Sequence, residues 1–143
     1  MIVTEVDASA SPATIHELLI DVDAWRVWSP HVASVSARER RVGPGWTGRT
    51  RAFFSPGATL MIVDDVRQDG GYTWHSTVGP WRLDYVNAVA PADQGSTLRF
   101  SAELRGPAAA FIERLVAPLS ALGQRRRMIR LAALAHLVER HAE

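Results

Sequence analysis

Six consecutive strand-like runs between residues 32 and 105 constrain the fold of this chain more than any other feature. They are rich in β-branched and aromatic residues or alternate apolar with polar residues, as strands do. The runs are VASVSARERRV, TGRTRAFF, ATLMIVDDV, YTWHSTV, WRLDYVNAV and STLRFSAEL. They are joined by the turn-forming segments GPGW, SPG, QDGG, GP and PADQGS. Short strands joined by such turns predict an antiparallel meander.

The segment before the meander predicts one strand and two short helices. Residues 2–7, IVTEVD, form the strand. Ser11 then supplies an N-cap and Pro12 a first-turn proline for a helix with apolar residues at helical spacing. A second helical turn carries Trp25 and Trp28 on one face.

The segment after the meander predicts a single long helix that begins at Pro107. Pro118 lies inside this helix and is expected to kink or break it. An antiparallel sheet of seven strands must curl, and only this helix is long enough to fill its concave face. We therefore predict one α+β domain, residues 1–143, with an internal hydrophobic cavity between the sheet and the helix as the ligand site.

Composition excludes several classes of chemistry. The chain has 143 residues, no cysteine and a net charge of +1, and all 16 of its basic residues are arginine. Disulfides, thiolate metal sites and Schiff-base lysines are thus excluded, and the charge balance gives no indication of nucleic acid. The five histidines show no recognised metal-ligand spacing, so we predict neither a metal nor a cofactor.

The N-terminal residues and the hydropathy pattern predict a cytoplasmic protein. MIVTEVDASA has no positively charged region of the kind that opens a signal peptide. No apolar run approaches the roughly 20 residues that a membrane span needs.

Three segments resemble a known family over essentially the whole chain. They are ASASPATIHELLIDVDAWRVWSPHV at 8–32, GYTW at 71–74 and DQGSTLRFSAELRGP at 93–107. They resemble the START-like or SRPBCC superfamily, and within it the polyketide cyclase/dehydrase-type branch. The resemblance implies the helix-grip fold, in which a curved sheet surrounds a long C-terminal helix. It implies little about activity, because these motifs are structural.

The phase of the last strands predicts which side chains face the helix. Leu98 and Phe100 alternate with charged residues and so face inward. Pairing Val89 with Leu98 across one turn, and Val78 with Trp81 across another, completes the register. The inward set is then Tyr72, Trp74, Ser76, Trp81, Leu83, Tyr85, Asn87 and Phe100. These residues either fill the core or line a pocket for a flat, partly oxygenated hydrophobic ligand.

Four polar residues are candidates for catalysis. Tyr85 and Asn87 would need hydrogen-bond partners if buried, and a ligand or water in a cavity supplies them. The same register places His75 beside Asp84 on the opposite face, either as a base with its orienting carboxylate or as a solvated pair.

The fourth candidate is Arg51. In related cyclases an inward arginine can bind a substrate carbonyl, so the resemblance makes Arg51 a candidate; the alternative is a charged solvent face on the strand. Asp64 and Asp65 are adjacent, so strand alternation predicts that one of them points inward.

Trp25 and Trp28 have two interpretations. In the first they close the end where the short helices meet the sheet, as a buried hydrophobic stopper. In the second, one edge of this cluster forms the rim of the cavity. Trp28 would then contact the ligand and His31 would lie near the mouth.

The arginine-rich run 124–127, followed by Arg130, predicts either a solvated helix face or a surface that attracts an anionic partner. An acyl-carrier protein and a membrane surface are the candidates, and a homodimer through the long helix is a further possibility.

Two functions follow for the chain. It is either a cyclase/aromatase- or dehydratase-like enzyme that acts on a hydrophobic, polyketide-like compound, or a non-catalytic carrier of a lipid or other hydrophobic ligand.

Overall fold

A computed structural model describes residues 1–53 and 57–142. The chain begins with β1 (Ile2–Ala8), followed by α1 (Pro12–Ile20), a 3₁₀ turn (Val22–Ala24) and α2 (Trp25–Trp28). Six strands follow: β2 (Val32–Ser36), β3 (Thr47–Ala52), β4 (Thr59–Val66), β5 (Gly71–Val78), β6 (Trp81–Ala92) and β7 (Gly95–Arg105). The chain ends in α3 (Ala109–Ala142). The order of elements matches the order that the sequence predicts.

The seven strands form one antiparallel sheet in the order β1-β7-β6-β5-β4-β3-β2. Strands β2 to β7 are each paired with their neighbour in sequence, which makes the predicted meander, and β1 adds to the free edge of β7. The two predicted turn pairings, Val89 with Leu98 and Val78 with Trp81, are both confirmed. Trp74 therefore lies opposite Tyr85 and on the same face.

One β-bulge corrects the prediction for the acidic pair on β4. The pairing of β4 with β5 shifts between Val63, which faces Trp74, and Asp65, which faces Thr73. The extra residue at Asp64 breaks the strict alternation on which the prediction depended. As a result, Asp64 and Asp65 are both exposed, and neither points into the interior.

Two of the predicted strands are shorter than their sequence patterns. β2 ends at Ser36, and the rest of the run VASVSARERRV contributes only an isolated bridge between Asp21 and Arg41. β3 ends at Ala52. The last residue of the predicted run TGRTRAFF, and the first two of the SPG turn, lie outside the described residues.

The start of α1 follows the sequence signal closely. The Ser11 hydroxyl accepts a hydrogen bond from the Thr14 amide at 3.4 Å, and Pro12 occupies the first turn. The first turn of a helix has no intrahelical acceptor for its N–H groups. Pro12 lacks an N–H, so it loses no hydrogen bond at this position. The cap and the proline together set where the helix begins.

The long helix begins at Ala109, two residues after the predicted start, and continues through Pro118. The predicted break is therefore absent. Proline removes one backbone hydrogen bond, from the carbonyl four residues earlier, but Pro118 and Arg114 are both exposed, so water can satisfy that carbonyl. Within the part of the chain that the structure describes, no helix is both long and apolar enough to cross a membrane.

The core lies between the sheet, the short helices and the second half of α3. Met128, Leu131 and Ala135 of α3 are completely buried there. Trp25 and Trp28 are 4% and 6% exposed and belong to the same cluster, which confirms the predicted stopper. The Trp25 ring meets that of Trp46 edge to face, with centroids 5.6 Å apart.

Candidate functional site

Two adjoining pockets lie between the sheet and the first half of α3. The outer pocket has a volume of about 520 Å³ and is lined by β1, β6, β7, α3 and the segment after α2. The inner pocket, of about 110 Å³, lies against the aromatic part of the sheet and is lined by α2, β3, β4, β5, β6, β7 and α3. Both are partly open, so the internal hydrophobic cavity that the sequence predicts stays a prediction.

Four side chains line both pockets and join them. We call this set the junction: His31, Tyr85, Gln124 and Arg127. The outer pocket combines five aliphatic side chains with three arginines and Glu113, whereas the inner pocket contains six aromatic residues. A ligand that spans both pockets would place polar groups at the junction, with aromatic rings on one side and aliphatic and charged side chains on the other.

The inner wall contains a stacked aromatic pair. The rings of Trp74 and Tyr85 lie nearly parallel, at 9°, with centroids 3.9 Å apart. The stack follows directly from the register, which places the two residues opposite each other on the same face. It orients the Tyr85 ring at the junction, where its hydroxyl forms no hydrogen bond with any of the described residues.

Arg127 brings a positive charge into this apolar site. The solvated-face interpretation is wrong at this position, because Arg127 is only partly exposed and lines both pockets. No acidic side chain among the described residues forms a salt bridge with it. Burial lowers the pKa of Arg127, and the nearby Tyr85 opposes that shift. A guanidinium still remains charged at any physiological pH.

Gln124 is the second inward residue of the arginine-rich run. Its side chain is 4% exposed. The Thr4 hydroxyl on β1 donates to its amide oxygen at 2.8 Å, which ties α3 to the sheet. The spacing could have revealed this face, since Gln124, Arg127 and Leu131 recur every three or four residues.

His31 lies at the junction, as the second interpretation of the tryptophan turn predicts. Its Nδ1 is 3.2 Å from the Ser29 hydroxyl. Burial lowers the pKa of His31, and the positive charge of Arg127 lowers it further. The ring is therefore predominantly neutral at pH 7 and can accept a proton.

The two tyrosines of the chain occupy different environments. Tyr72 is fully buried, and its hydroxyl donates to the Leu19 carbonyl at 3.1 Å. Burial raises the pKa of Tyr72 far above its usual value, opposed only by a hydrogen bond with Asn87. Burial also raises the pKa of Tyr85, and there the opposing influence is the charge of Arg127. Both phenols are protonated at neutral pH, but only Tyr85 has a hydroxyl available to a ligand.

Two indole N–H groups in the inner pocket have no hydrogen-bond partner. They are Trp28 Nε1 and Trp74 Nε1, both buried. The other three indoles donate to backbone carbonyls: Trp25 to Leu19, Trp46 to Glu39 and Trp81 to Pro107. Buried donors without partners are uncommon in folded proteins. Here both of them line the same pocket.

Most of the residues predicted from the sequence meet at this site. Tyr85 lies at the junction and Leu83 in the outer pocket. The inner pocket collects the others, namely Trp28, Tyr72, Trp74, Asn87 and Phe100.

Three predicted residues are not brought to either pocket. Trp81 lies at the far end of β6, where its indole bonds to the Pro107 carbonyl at 2.9 Å. Arg51 is exposed, because the inward position on β3 belongs to its neighbour Thr50. The structure therefore does not place Arg51 where it could touch a ligand in these pockets.

His75 is the third. It faces Asp84 across the strands, as the register predicts, but its Nδ1 bonds to Asp64 on β4, at 2.8 Å. Asp84 bonds instead to Arg82 and Arg105, at 2.9 and 3.1 Å. Both belong to charged clusters on the face of the sheet opposite the pockets. Within residues 1–53 and 57–142, no three acidic or histidine side chains are grouped so as to hold a metal ion.

Comparison with known proteins identifies a family and a fold. The family model for polyketide cyclase / dehydrase and lipid transport matches residues 2–139. A search of the curated proteins finds no match.

Several solved structures are similar. The hypothetical protein jhp0584 from Helicobacter pylori is 12% identical with a TM-score of 0.77, covering 94% of this chain and 86% of that one. TTHA0849 from Thermus thermophilus is 17% identical with a TM-score of 0.71, covering 96% and 97%. Ara h 8.0201 is 15% identical with a TM-score of 0.70, covering 94% and 95%. At these identities the likeness shows the fold alone.

The His31 pKa provides a direct test of the junction. We expect NMR titration of the His31 ring to give a midpoint below 6.5. Arg127→Met should raise that midpoint, because it removes the charge that disfavours protonation. Arg125→Met, on the exposed side of α3, should leave it unchanged. A wild-type midpoint at or above 6.5 would contradict this geometry.

The lowered pKa of His31 also determines the direction in which the stability of the protein changes with pH. The unfolded chain binds a proton at His31 more readily than the folded chain, so acidification favours unfolding. The contribution of His31 to the free energy of unfolding is therefore complete above pH 6.5 and decreases as the pH falls through the folded-state pKa.

Proposed function

Since the chain belongs to the polyketide cyclase/dehydrase and lipid transport family of the SRPBCC superfamily, we propose that it binds a hydrophobic, aromatic or polyketide-like molecule in the two pockets. We further propose that it acts on this molecule, without a cofactor and in the cytoplasm, as a cyclase/aromatase- or dehydratase-like enzyme. The observation that carries the proposal is the junction. A guanidinium, a free phenol and a neutral imidazole lie there, between the aromatic inner pocket and the larger outer pocket.

Each polar group at the junction has a defined chemical role in such a reaction. Arg127 binds a substrate carbonyl oxygen and so makes the adjacent C–H more acidic. His31, neutral at pH 7, takes that proton as general base. The resulting enolate carbon attacks a second carbonyl carbon of the same molecule and forms a C–C bond. The new alkoxide accepts a proton from Tyr85, which His31 restores, and Asn87 holds a further substrate oxygen.

The aromatic walls supply the other part of the proposed mechanism. A flexible chain with several carbonyl groups has many conformations in water, and only a few bring the reacting carbons together. The Trp74–Tyr85 stack and the Phe100 ring hold one end of the chain flat, and the larger outer pocket confines the rest of it. Holding the reacting atoms in contact in this way is worth several kcal/mol of barrier, on the order of 7–11 in favourable cases.

A second candidate function is non-catalytic carriage of a lipid. It is favoured by the outer pocket, where five aliphatic side chains offer an apolar surface and the volume of about 520 Å³ lies within the range of small-molecule sites. The residues concerned are Ile2, Leu83, Ala102, Leu104 and Val116. A carrier needs this surface and no acid or base.

Of the two partners that the sequence suggests for the long helix, the charges favour the acyl-carrier protein. Phe111, Leu115, Leu119 and Leu122 form an exposed apolar stripe along one face of α3. Residues 114–138 contain five arginines and no acidic residue. Two copies of this segment would repel each other, whereas an acidic carrier protein would be attracted.

Native mass spectrometry of the purified protein, followed by denaturing extraction, tests the proposed function first. We expect a bound aromatic or polyketide-like compound, whose mass and ultraviolet spectrum identify it. A co-purified fatty acyl chain would instead support the carrier function. It would also make the hydrogen-bonding groups at the junction incidental.

A matched pair of tyrosine variants tests catalysis on the compound so identified. Tyr85→Phe should lower turnover by about 10² or more, because it removes the proton donor, with little change in the free energy of unfolding. Tyr72→Phe should lower the free energy of unfolding and leave turnover nearly unchanged. It loses a buried hydrogen bond worth about 0.5–1.5 kcal/mol but leaves the junction intact. Unchanged turnover in Tyr85→Phe would exclude the role given to this hydroxyl.

The partner proposal is tested by surface plasmon resonance with an acyl-carrier protein at low and high salt. Binding should weaken steeply as salt rises, and Leu119→Gln should weaken it at both salt concentrations. Sedimentation equilibrium measures self-association in parallel. A stable dimer that is insensitive to salt, with no carrier-protein binding, would contradict the proposal.

A further inference from the structure

Three polar groups of the inner pocket without a salt-bridge or hydrogen-bond partner can donate hydrogen bonds but cannot accept them. Trp28 Nε1 and Trp74 Nε1 are buried without partners, and the Trp28 side chain is 6% exposed. Arg127 lies beside them, with no acidic partner among the described residues. An indole N–H and a guanidinium can only donate hydrogen bonds. The three groups together therefore require acceptors that the described protein atoms do not supply.

Two of the nearby acceptors are already engaged within the protein. The amide oxygen of Gln124 accepts from the Thr4 hydroxyl at 2.8 Å. The Ser29 hydroxyl is paired with His31 at 3.2 Å. The Tyr72 hydroxyl donates to the Leu19 carbonyl, so Asn87 is the donor in its bond with that hydroxyl. Despite the other polar groups around them, both indole N–H groups remain without an acceptor.

Pocket size indicates which end of a ligand meets these donors. The inner pocket, at about 110 Å³, is too small for a polycyclic body, whereas the outer pocket, at about 520 Å³, accommodates one. All three donors line the inner pocket, so a small acceptor group placed there lies beside them. The apolar body then extends past the junction into the outer pocket, along its five aliphatic side chains.

We propose that the ligand is an anion, with two oxygens of a carboxylate or an enolised 1,3-dicarbonyl group held at Arg127, Trp28 and Trp74. The inference rests on the proposed function, because it names the class of molecule bound in the same pockets. It adds that the molecule is negatively charged and that its charged group lies in the inner pocket. A neutral hydrocarbon would leave the guanidinium and both indoles without partners, and an alcohol would offer them a single uncharged oxygen.

Two probes of nearly identical shape test the assignment, 2-naphthoate and 2-naphthamide. At pH 7.5 the first is an anion and the second is neutral, while both contain the same ring system. Isothermal titration calorimetry on the wild-type protein should give tighter binding of 2-naphthoate by about tenfold or more, since hydrogen bonds to a charged acceptor are the stronger ones. This comparison needs no variant.

Variants then test which residues cause the preference for 2-naphthoate. Arg127→Met retains an apolar stem of similar length and should abolish the preference for 2-naphthoate while leaving 2-naphthamide within about twofold. Arg125→Met, on the same helix but in neither pocket, should preserve it. Trp28→Phe should weaken 2-naphthoate more than 2-naphthamide, because the lost N–H bond is stronger to a charged oxygen than to a neutral one. Circular dichroism establishes that each variant is folded.

The possible failures are distinguishable. Equal affinity of the wild-type protein for both probes, or a preference that persists in Arg127→Met, would overturn the anionic assignment and leave hydrophobic binding intact. If neither probe binds, the anionic assignment fails and the proposed function loses its support in these pockets as well.

Discussion

The close packing of α3 on the sheet stops partway along the helix, and the site exists because of that limit. Met128, Leu131 and Ala135 are completely buried, and their contact with the core holds the helix in place. Toward the N-terminus the lining side chains become small or polar, with Gly123 and Ser120 where a continued core would need large apolar residues. β1 and its flanking residues continue beside the helix from Gln124 to Glu113, so the space between sheet and helix opens where the packing ends.

Arg127 lies at this boundary, and its position sets the electrostatics of the junction. A positive charge without an acidic partner is unfavourable in a partly buried site, because it loses solvation without gaining an ion pair. Burial lowers the pKa of His31 and the same charge lowers it further, while at Tyr85 the charge opposes the effect of burial on the pKa. These three groups therefore influence one another, and an anionic ligand would change the proton affinity of all of them together.

The sequence predicts the sheet better than it predicts the site. Alternation and turn chemistry are local signals, and two turn pairings were enough to place Trp74, Tyr85, Asn87 and Phe100 on one face in the correct register. The bulge at Asp64 has no comparable signal, because one extra residue in a strand changes neither the composition nor the turns. Arg127 was missed for another reason. A run of three arginines resembles a solvated surface, and only the periodicity of α3 distinguishes the inward one from its neighbours.

The hydrogen bonds of the aromatic side chains separate structural residues from functional ones more clearly than burial does. Trp25 and Tyr72 are as buried as Trp28, yet both donate to the Leu19 carbonyl, so their polar atoms are part of the fold. Trp46 and Trp81 likewise bond to backbone carbonyls. Trp28, Trp74 and Tyr85 are the aromatic residues whose polar atoms have no partner among the described residues, and all three line the inner pocket. Folding alone gives no reason for such a concentration of unused hydrogen-bonding groups, whereas a ligand with oxygen acceptors does.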